Sequence, residues 1–327
     1  VKLLVSGGAG FIGSAFVRKI FSNDAISDQI EKVTVIDSLT YAGSIQNLSE
    51  IQNEFGFEFV HGDIRDEVLI DRLCKTHTHV VNFAAESHVD RSIRSASEFV
   101  STNVEGLRNI LDSIKNRVDH IKFLQVSTDE VYGSISSGNW DEGEPLLPNS
   151  PYAATKAAGD LLVRSYFKTY GLNAVVTRSS NNFGPFQNRE KLIPTLITNL
   201  INGKPLPIYG DGSNVRDWIH VEDNVQGIWL ALTKEGNSGE IYNLGGGNEI
   251  SNIDLARKIC EFMNISKNVI EYVDDRMGHD FRYSVNCMKA EKDLSFAPGR
   301  NFNDSLKSTI AWYQNNQRWW ENSYTND

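Results

Sequence analysis

The chain of 327 residues carries a formal net charge of −10, with 40% apolar and 23% charged residues. These proportions exclude a disordered or collagen-like chain, and the acidic balance excludes a generic nucleic-acid binder. Single cores stop growing at roughly 250–300 residues, so one large domain with a smaller companion is expected.

Cys74, Cys260 and Cys287 are the only cysteines. They form no C-x-x-C pair, so neither a disulfide framework nor a zinc site is expected, and a reducing cytoplasm fits. His77 and His79 are read as a polar turn before a strand, with no metal. No run approaches the roughly 18 apolar residues of a membrane span, so no membrane partner is expected. Residues 1–13 lack the basic start and cleavage site of a secretion signal.

In chain order, residues 2–6 (KLLVS) read as a buried strand that turns at Gly7–Gly13 into a helix ending near Phe21. Strands follow at 32–36, 57–63, 79–85, 121–127 and 173–179. Helices are expected near 66–75, 98–116 and 152–170, and a Gly-, Ser- and Pro-rich loop at 133–151. Strands alternating with helices predict a parallel sheet covered on both faces. Beyond residue 180 the chain is rich in Asn, Gly and Pro. One helix is expected near 192–202, one at 251–263 with Ser251 as N-cap, and an aromatic-rich helix at 302–320. The predicted division is 1–179 with about 216–243 for the sheet domain, and about 180–215 with 244–327 for the second.

Gly7, Gly10 and Gly13 are spaced G-x-x-G-x-x-G between the first strand and first helix. Such a turn lets a pyrophosphate approach the backbone at a helix N-terminus, which predicts dinucleotide binding. Asp37 lies 24 residues after Gly13, at the end of the second strand. An acid there accepts hydrogen bonds from an adenosine ribose and repels a 2′-phosphate, which favours NAD over NADP. Asp63 ends the third strand, either bonding the adenine edge or capping the next helix.

Tyr152 and Lys156 are spaced i, i+4, so they share one face of a helix. An ammonium beside the phenol is expected to lower the tyrosine pKa from about 10. Thr128, Asp129 and Glu130 end the fifth strand, where open α/β sheets bind ligands. Two adjacent carboxylates suit acid–base work, but equally a solvated turn. In a regular strand Asp129 would face away from Thr128 and Glu130, so shared duty requires the strand to break there.

Together these segments resemble the extended short-chain dehydrogenase/reductase family. Within it they are similar to the branch that dehydrates a nucleoside-diphosphate glucose, dTDP-glucose above all. Further segments carry the likeness: Asp37 to Gly43, Ala84 to Ser92, Ser127 to Gly133, Ser180 to Pro185, Glu190 to Pro194, Tyr209 to Gly212, Arg216 to Trp218, Gly278 to Asp280, and Arg282-Tyr283. The adjacent Asp129 and Glu130 are the most specific element, because sugar-nucleotide epimerases usually carry small residues there. The resemblance implies an α/β, Rossmann-like doubly wound parallel sheet with a smaller mixed α/β substrate domain. It implies a lyase (a hydro-lyase) that uses NAD to oxidise C4, eliminate water across C5 and C6, and reduce C6. Tyr152 would be the C4 base, Lys156 its orienting cation, Thr128 a hydrogen-bond partner of O4, Glu130 the C5 base and Asp129 the acid.

By the same resemblance Gly7, Gly10, Phe11, Ile12, Gly13, Asp37, Ser38, Leu39, Thr40, Asp63, Ile64, Ala84, Ala85, Thr102, Tyr152, Lys156 and Asn182 would contact NAD. Ser87, Thr128, Asn181, Lys191, Leu192, Pro207, Ile208, Tyr209, Arg216, Asn252, Arg276 and His279 would contact the nucleotide sugar. Lys191, Arg216 and Arg276 suit a diphosphate, yet each alone also reads as a surface cation. Asn181 and Asn252 also read as turn or cap residues, and His88 as a buried structural histidine.

Four positions depart from the family pattern: Ser38, Phe183, the run Gln187-Asn188-Arg189, and Met277. A 4-epimerase shares the fold and the Tyr/Lys pair, and a non-catalytic NAD-binding module is a third reading. A homodimer is expected by resemblance, through a four-helix interface of segments 98–116 and 152–170. Leu161, Leu162, Tyr166, Phe167 and Tyr170 give the second segment surplus apolar surface.

Overall fold

A computed structural model describes residues 1–118, 120–275 and 277–322. Arg276, one of the expected substrate contacts, lies outside the described residues. The main sheet has seven parallel strands in the order β10-β6-β5-β4-β1-β2-β3. They are β1 (Lys2–Ser6), β2 (Lys32–Asp37), β3 (Phe57–His61), β4 (His79–Asn82), β5 (Lys122–Thr128), β6 (Ala174–Ser179) and β10 (Ile241–Leu244). β1 pairs with both β2 and β4, so the strand order reverses beside it. That reversal opens the crevice in which such sheets bind ligands.

Helices cover both faces, and this is why the strands are nearly continuous apolar runs. One face packs Phe16, Val17, Trp229 and Tyr242 against the sheet. The other packs Ile110, Leu111, Phe123 and Val163. A third core joins Phe183, Trp218, Leu255, Tyr313 and Trp320 in the second unit. That unit holds β7 (Asn181–Phe183), β8 (Leu206–Tyr209), β9 (Val215–His220), β11 (Glu249–Ser251) and β12 (Ile270–Val273). β11-β9-β7 form one small sheet and β12-β8 another.

Several boundaries differ from expectation. β4 stops at Asn82, and residues 83–88 form irregular chain at the crevice. The 98–116 helix contains a π segment, Ser101–Gly106, before Leu107–Ile114. The extra residue per turn places Asn103 toward the crevice, a common use of π turns. The last helix ends at Asn315, and a second runs Gln317–Asn322. Strand pairing also departs from the expected division: β9, whose residues 216–220 were assigned to the sheet domain, pairs with β7 and β11. Conversely the helix Met288–Leu294 packs Ala290 and Leu294 onto the main-sheet core. Phe183 is 1% exposed and edge-on to Trp218, so this departure from the family pattern serves packing.

Trp320 anchors the C-terminal helix: it is 1% exposed and its indole N–H donates to the Tyr313 carbonyl at 2.9 Å. Trp320→Ala should cost about 3–5 kcal/mol by lost packing and cavity formation. A lowered urea midpoint with an unchanged m-value would show it; an unchanged midpoint would refute the assignment.

Candidate functional site

Three adjoining cavities follow the carboxyl edge of the main sheet and run into the second unit. The central one holds about 240 Å³, the substrate-side one about 360 Å³ and the adenosine-side one about 120 Å³. Gly7, Gly10 and Ala85 line both the central and adenosine-side cavities. Glu130, Asn181, Asn182 and Lys191 line both the central and substrate-side ones. The three therefore form one trench.

The glycine loop is fixed by close approach. Gly7 has φ +71°, and a Cβ there would lie 2.4 Å from the Ala84 nitrogen. A Cβ on Gly13 would lie 2.2 Å from the Gly7 carbonyl oxygen. Any side chain would push the helix off the loop. Phe11, Ile12 and Gly13, in the first helical turn, line the central cavity, where a helix N-terminus favours phosphate.

Asp37 is 8% exposed and accepts from the Ala9 and Leu39 N–H groups at 2.9 and 2.8 Å. Burial raises its pKa against those bonds. It lines the adenosine-side cavity with Ser38, Thr40, Asp63, Ile64, Ala84, Ala85 and Thr102. Leu39 lines none of the three cavities. Its φ of +50° turns the chain, and its side chain packs on the first core. Asp63 does not cap the next helix, whose N-cap is Asp66; it pairs with Arg65 at 2.8 Å. Arg65 also meets Glu98 at 3.0 Å and lines the same cavity, a participant no local motif reveals.

β5 ends at Thr128, and Asp129–Tyr132 form a 3-10 turn closed by Gly133 at φ +80°. The strand thus breaks where two-carboxylate chemistry requires it to. The Thr128 hydroxyl accepts from the Glu130 N–H at 3.3 Å and donates to Asp129 Oδ1 at 3.2 Å. Asp129 is 2% exposed. Burial, then Glu130 and Asp217, hold its carboxyl well above the usual range, which favours the protonated form.

Tyr152 lies in the first turn of the helix Pro151–Tyr170. Ser150 caps that helix through the Ala153 N–H at 3.1 Å, and Pro151 fits its start. Tyr152 does not have the lowered pKa expected from its spacing. Burial, then Glu130 and Asp129, push it well above 10. Lys156 points instead to the Val126 carbonyl, 2.7 Å away, and burial lowers its pKa to about 8. The i, i+4 relation brings the residues to one face but leaves the ammonium's partner to the β5 backbone.

Two tertiary ties hold these parts together. Asn103, from the π segment, bonds both backbone groups of Glu86, at 2.8 and 3.0 Å, and the Thr155 hydroxyl at 3.0 Å. Arg178 on β6 pairs with Asp160 at 2.8 Å, with side chains 3% and 1% exposed. It also donates to the Tyr132 hydroxyl at 2.8 Å, which donates to Asn243 Oδ1 at 2.8 Å.

On the substrate side the cavity wall contains Asn181, Lys191, Leu192, Pro207, Ile208, Tyr209, Arg216, Asn252 and His279. Ser87 lines the central cavity. Arg216 is 5% exposed and lies 4.4 Å above the Tyr283 ring. The side-chain oxygens of Asn181, Asn182 and Asn252 and the Trp218 indole nitrogen are buried without a hydrogen-bond partner among the described residues. All line the trench, so they suit a polar ligand with many hydroxyls. With the glycine cradle, they fit a dinucleotide lying beside a nucleotide sugar. His77, by contrast, is buried and bonded to Thr34 at 2.9 Å and to the Leu73 carbonyl at 2.7 Å.

The family model described as GDP-mannose 4,6 dehydratase matches residues 4–309. The chain belongs to this nucleotide-sugar 4,6-dehydratase family. A dTDP-glucose 4,6-dehydratase from an Actinoplanes species is 48% identical over 322 residues, 98% of this chain and 100% of that protein. The low-salt glycan biosynthesis protein Agl12 of Haloferax volcanii is 50% identical over 313 residues, 96% of this chain and 98% of that one. The crystal structure of DesIV, a dTDP-glucose 4,6-dehydratase from Streptomyces venezuelae with NAD and TYD bound, matches with a TM-score of 0.96. Its identity is 48%, covering 99% of this chain and 100% of that one. A UDP-glucuronic acid 4-epimerase from Bacillus cereus is more distant, 27% identical with a TM-score of 0.88 over 96% of this chain and 99% of that one.

Lys156 allows a test of the site's cost. Its folded pKa lies below its ordinary value of 10.5, so the charged form is penalised on folding. The penalty is full below pH about 8 and vanishes above about 10.5. Lys156→Met should raise the melting temperature at pH 7, with the gain shrinking across that window, while turnover is lost. A lower melting temperature at pH 7 would contradict the assignment.

Proposed function

We propose that the protein is an NAD-dependent hydro-lyase that converts dTDP-glucose to its 4-keto-6-deoxy sugar nucleotide. The carrying observation is the pair of adjacent carboxyl groups at a broken strand end. Asp129 is buried, lines the central cavity and has its pKa held well above the usual carboxyl range; Glu130 lines both that cavity and the substrate-side one. Bound NAD supplies a two-electron acceptor at C4 that becomes the donor at C6, so it ends each turnover as it began.

The protein's part is proton movement. Tyr152 takes the O4 proton, with Thr128 as hydrogen-bond partner of that oxygen. Tyr152 needs added positive charge to ionise, because its own surroundings hold the phenol neutral. Lys156, one turn along the same helix with its ammonium on the Val126 carbonyl, is the cation for that role. The C4 ketone acidifies C5, and Glu130 removes the C5 proton. Asp129 gives its proton to the C6 hydroxyl, which leaves as water. Glu130 returns a proton to C5 as C6 is reduced, and the proton that Tyr152 took from O4 passes back to Asp129, so each group ends as it began. Two carboxyls that start in opposite protonation states are what this elimination demands. Arg216 and Lys191 supply the local cations for the diphosphate, and Asn181, Asn252 and His279 the polar contacts.

Incubation with dTDP-glucose should give the alkaline ultraviolet absorbance of a 4-keto-6-deoxy product without net NADH. Formation of a galactose epimer from dTDP-glucose or UDP-glucose would overturn this reading. Glu130→Gln and Asp129→Asn should each lose turnover by about 10²–10⁴-fold yet still reduce bound NAD. In deuterium oxide, Asp129→Asn should exchange the C5 proton and Glu130→Gln should not. Tyr152→Phe should block both C4 oxidation and exchange.

A homodimer is part of the same proposal. Leu161 and Tyr170 on the helix Pro151–Tyr170 are 55% and 46% exposed, and Val100 beside the π segment is 44% exposed. Leu162 and Tyr166 instead pack inward against the second core. Sedimentation at micromolar concentration should give a dimer, and Leu161→Glu should shift it toward monomer; a wild-type monomer would refute the interface.

A further inference from the structure

Three chain segments from separate elements meet over the central cavity. They are the loop after β2, the short helix Val89–Arg94 that follows the irregular chain after β4, and the segment that leads from β7 into the helix Leu192–Ile201. The Arg91 guanidinium lies 4.1 Å above the Tyr41 ring and donates to Glu190 Oε1 at 2.6 Å. Asn188 Nδ2 donates to the Tyr41 carbonyl at 2.9 Å, and Asn188 Oδ1 accepts from the Glu190 N–H at 2.9 Å. Tyr41, Asn188 and Glu190 line the central cavity together with the glycine loop. None of them has work in the proton chemistry. Asn188 falls in the run Gln187-Asn188-Arg189, where the sequence departs from its family's pattern.

We propose that Arg91, Tyr41, Asn188 and Glu190 form a clasp that retains the dinucleotide from one turnover to the next. This rests on the reading that NAD is the resident cofactor. A cofactor restored at the end of every cycle has no need to leave. Tyr41, Arg91 and Asn188 do not line the substrate-side cavity, and of the clasp only Glu190 does, so exchange of the sugar nucleotide leaves the Tyr41–Asn188 tie intact. Release of NAD requires the loop after β2 to part from the segment before Leu192. That parting breaks the Asn188–Tyr41 hydrogen bond together with one of the two contacts through which Arg91 bridges the segments, its ion pair with Glu190 or its cation–π contact with Tyr41. The ion pair is partly open to solvent, with side chains 41% and 22% exposed, so salt weakens it. Arg91 and Asn188 act on retention through Tyr41 and Glu190; they are positioning residues.

The test is exchange of bound NAD in the full-length holoenzyme, followed by chase with excess nicotinamide-labelled NAD and rapid filtration. Arg91→Gln should speed exchange by about tenfold or more, and Asn188→Ala by a smaller factor in the same direction. Both should keep kcat within about twofold when NAD is saturating. Raising salt from about 0.05 to about 0.5 M should speed exchange in the wild type and have little effect in Arg91→Gln. If Arg91→Gln fails to fold, Asn188→Ala and the wild-type salt series decide the matter. Wild-type protein that holds NAD but exchanges it as fast as the variants overturns the clasp alone. A fall in kcat at saturating NAD equal to the rise in exchange overturns it too, because the residues would then shape the reacting centre. Wild-type protein that binds no NAD overturns the cofactor reading and the clasp with it.

Discussion

One buried cation holds the catalytic parts in register. Arg178 sits on β6 with its charge met by Asp160, one helical turn beyond Lys156, and with a second arm on Tyr132. Tyr132 is the last residue of the 3-10 turn that begins with Asp129 and Glu130. The helix that carries Tyr152 and Lys156 and the turn that carries Asp129 and Glu130 are therefore bonded to one guanidinium. Asn243 extends the tie to β10. Burying such a pair gains little net stability, because desolvation offsets the attraction. Losing one partner is costly, so the network enforces geometry rather than adding strength.

The same economy of burial separates the two carboxyls. Both line the central cavity, but Asp129 is 2% exposed with Glu130 and Asp217 as negative neighbours, whereas Glu130 also lines the substrate-side cavity. Asp217 is itself held by the Gly246 and Asn248 N–H groups at 2.9 and 2.6 Å. Backbone donors of Gly246 and Asn248, just past β10, thus hold a carboxyl that influences the protonation of an acid in the turn after β5.

What was legible in the sequence was local. The glycine spacing, the acid ending β2, the strand break after Thr128 and the helix capped by Ser251 each depend on neighbours within a turn or two. Every expected substrate contact among the described residues lines the trench, and among the expected cofactor contacts only Leu39 does not. What was not legible depends on long-range pairing. Nothing near Arg178 announces Tyr132, nothing near Arg65 announces Glu98, and the sequence around β9 does not say which sheet it joins. The raised pKa of Tyr152 was missed for a related reason: spacing fixes which face a side chain leaves from, not the partner it finds. The π segment escaped because its apolar pattern is that of an ordinary helix, and only Asn103 in contact with Glu86 and Thr155 marks its use.

The path of the chain carries one last consequence. After building β7, β8 and β9 in the second unit, the chain returns to the main sheet through the helix Val221–Thr233 to add β10, and later sends Met288–Leu294 back onto the first core. Neither unit is therefore a contiguous stretch. A ribosome that has released only the first 180 residues has made a sheet whose β6 edge still lacks its neighbour. The cofactor half can reach its final form only after most of the substrate half has been synthesised. Gene fusion or domain exchange at a single junction within 221–294 would split both cores.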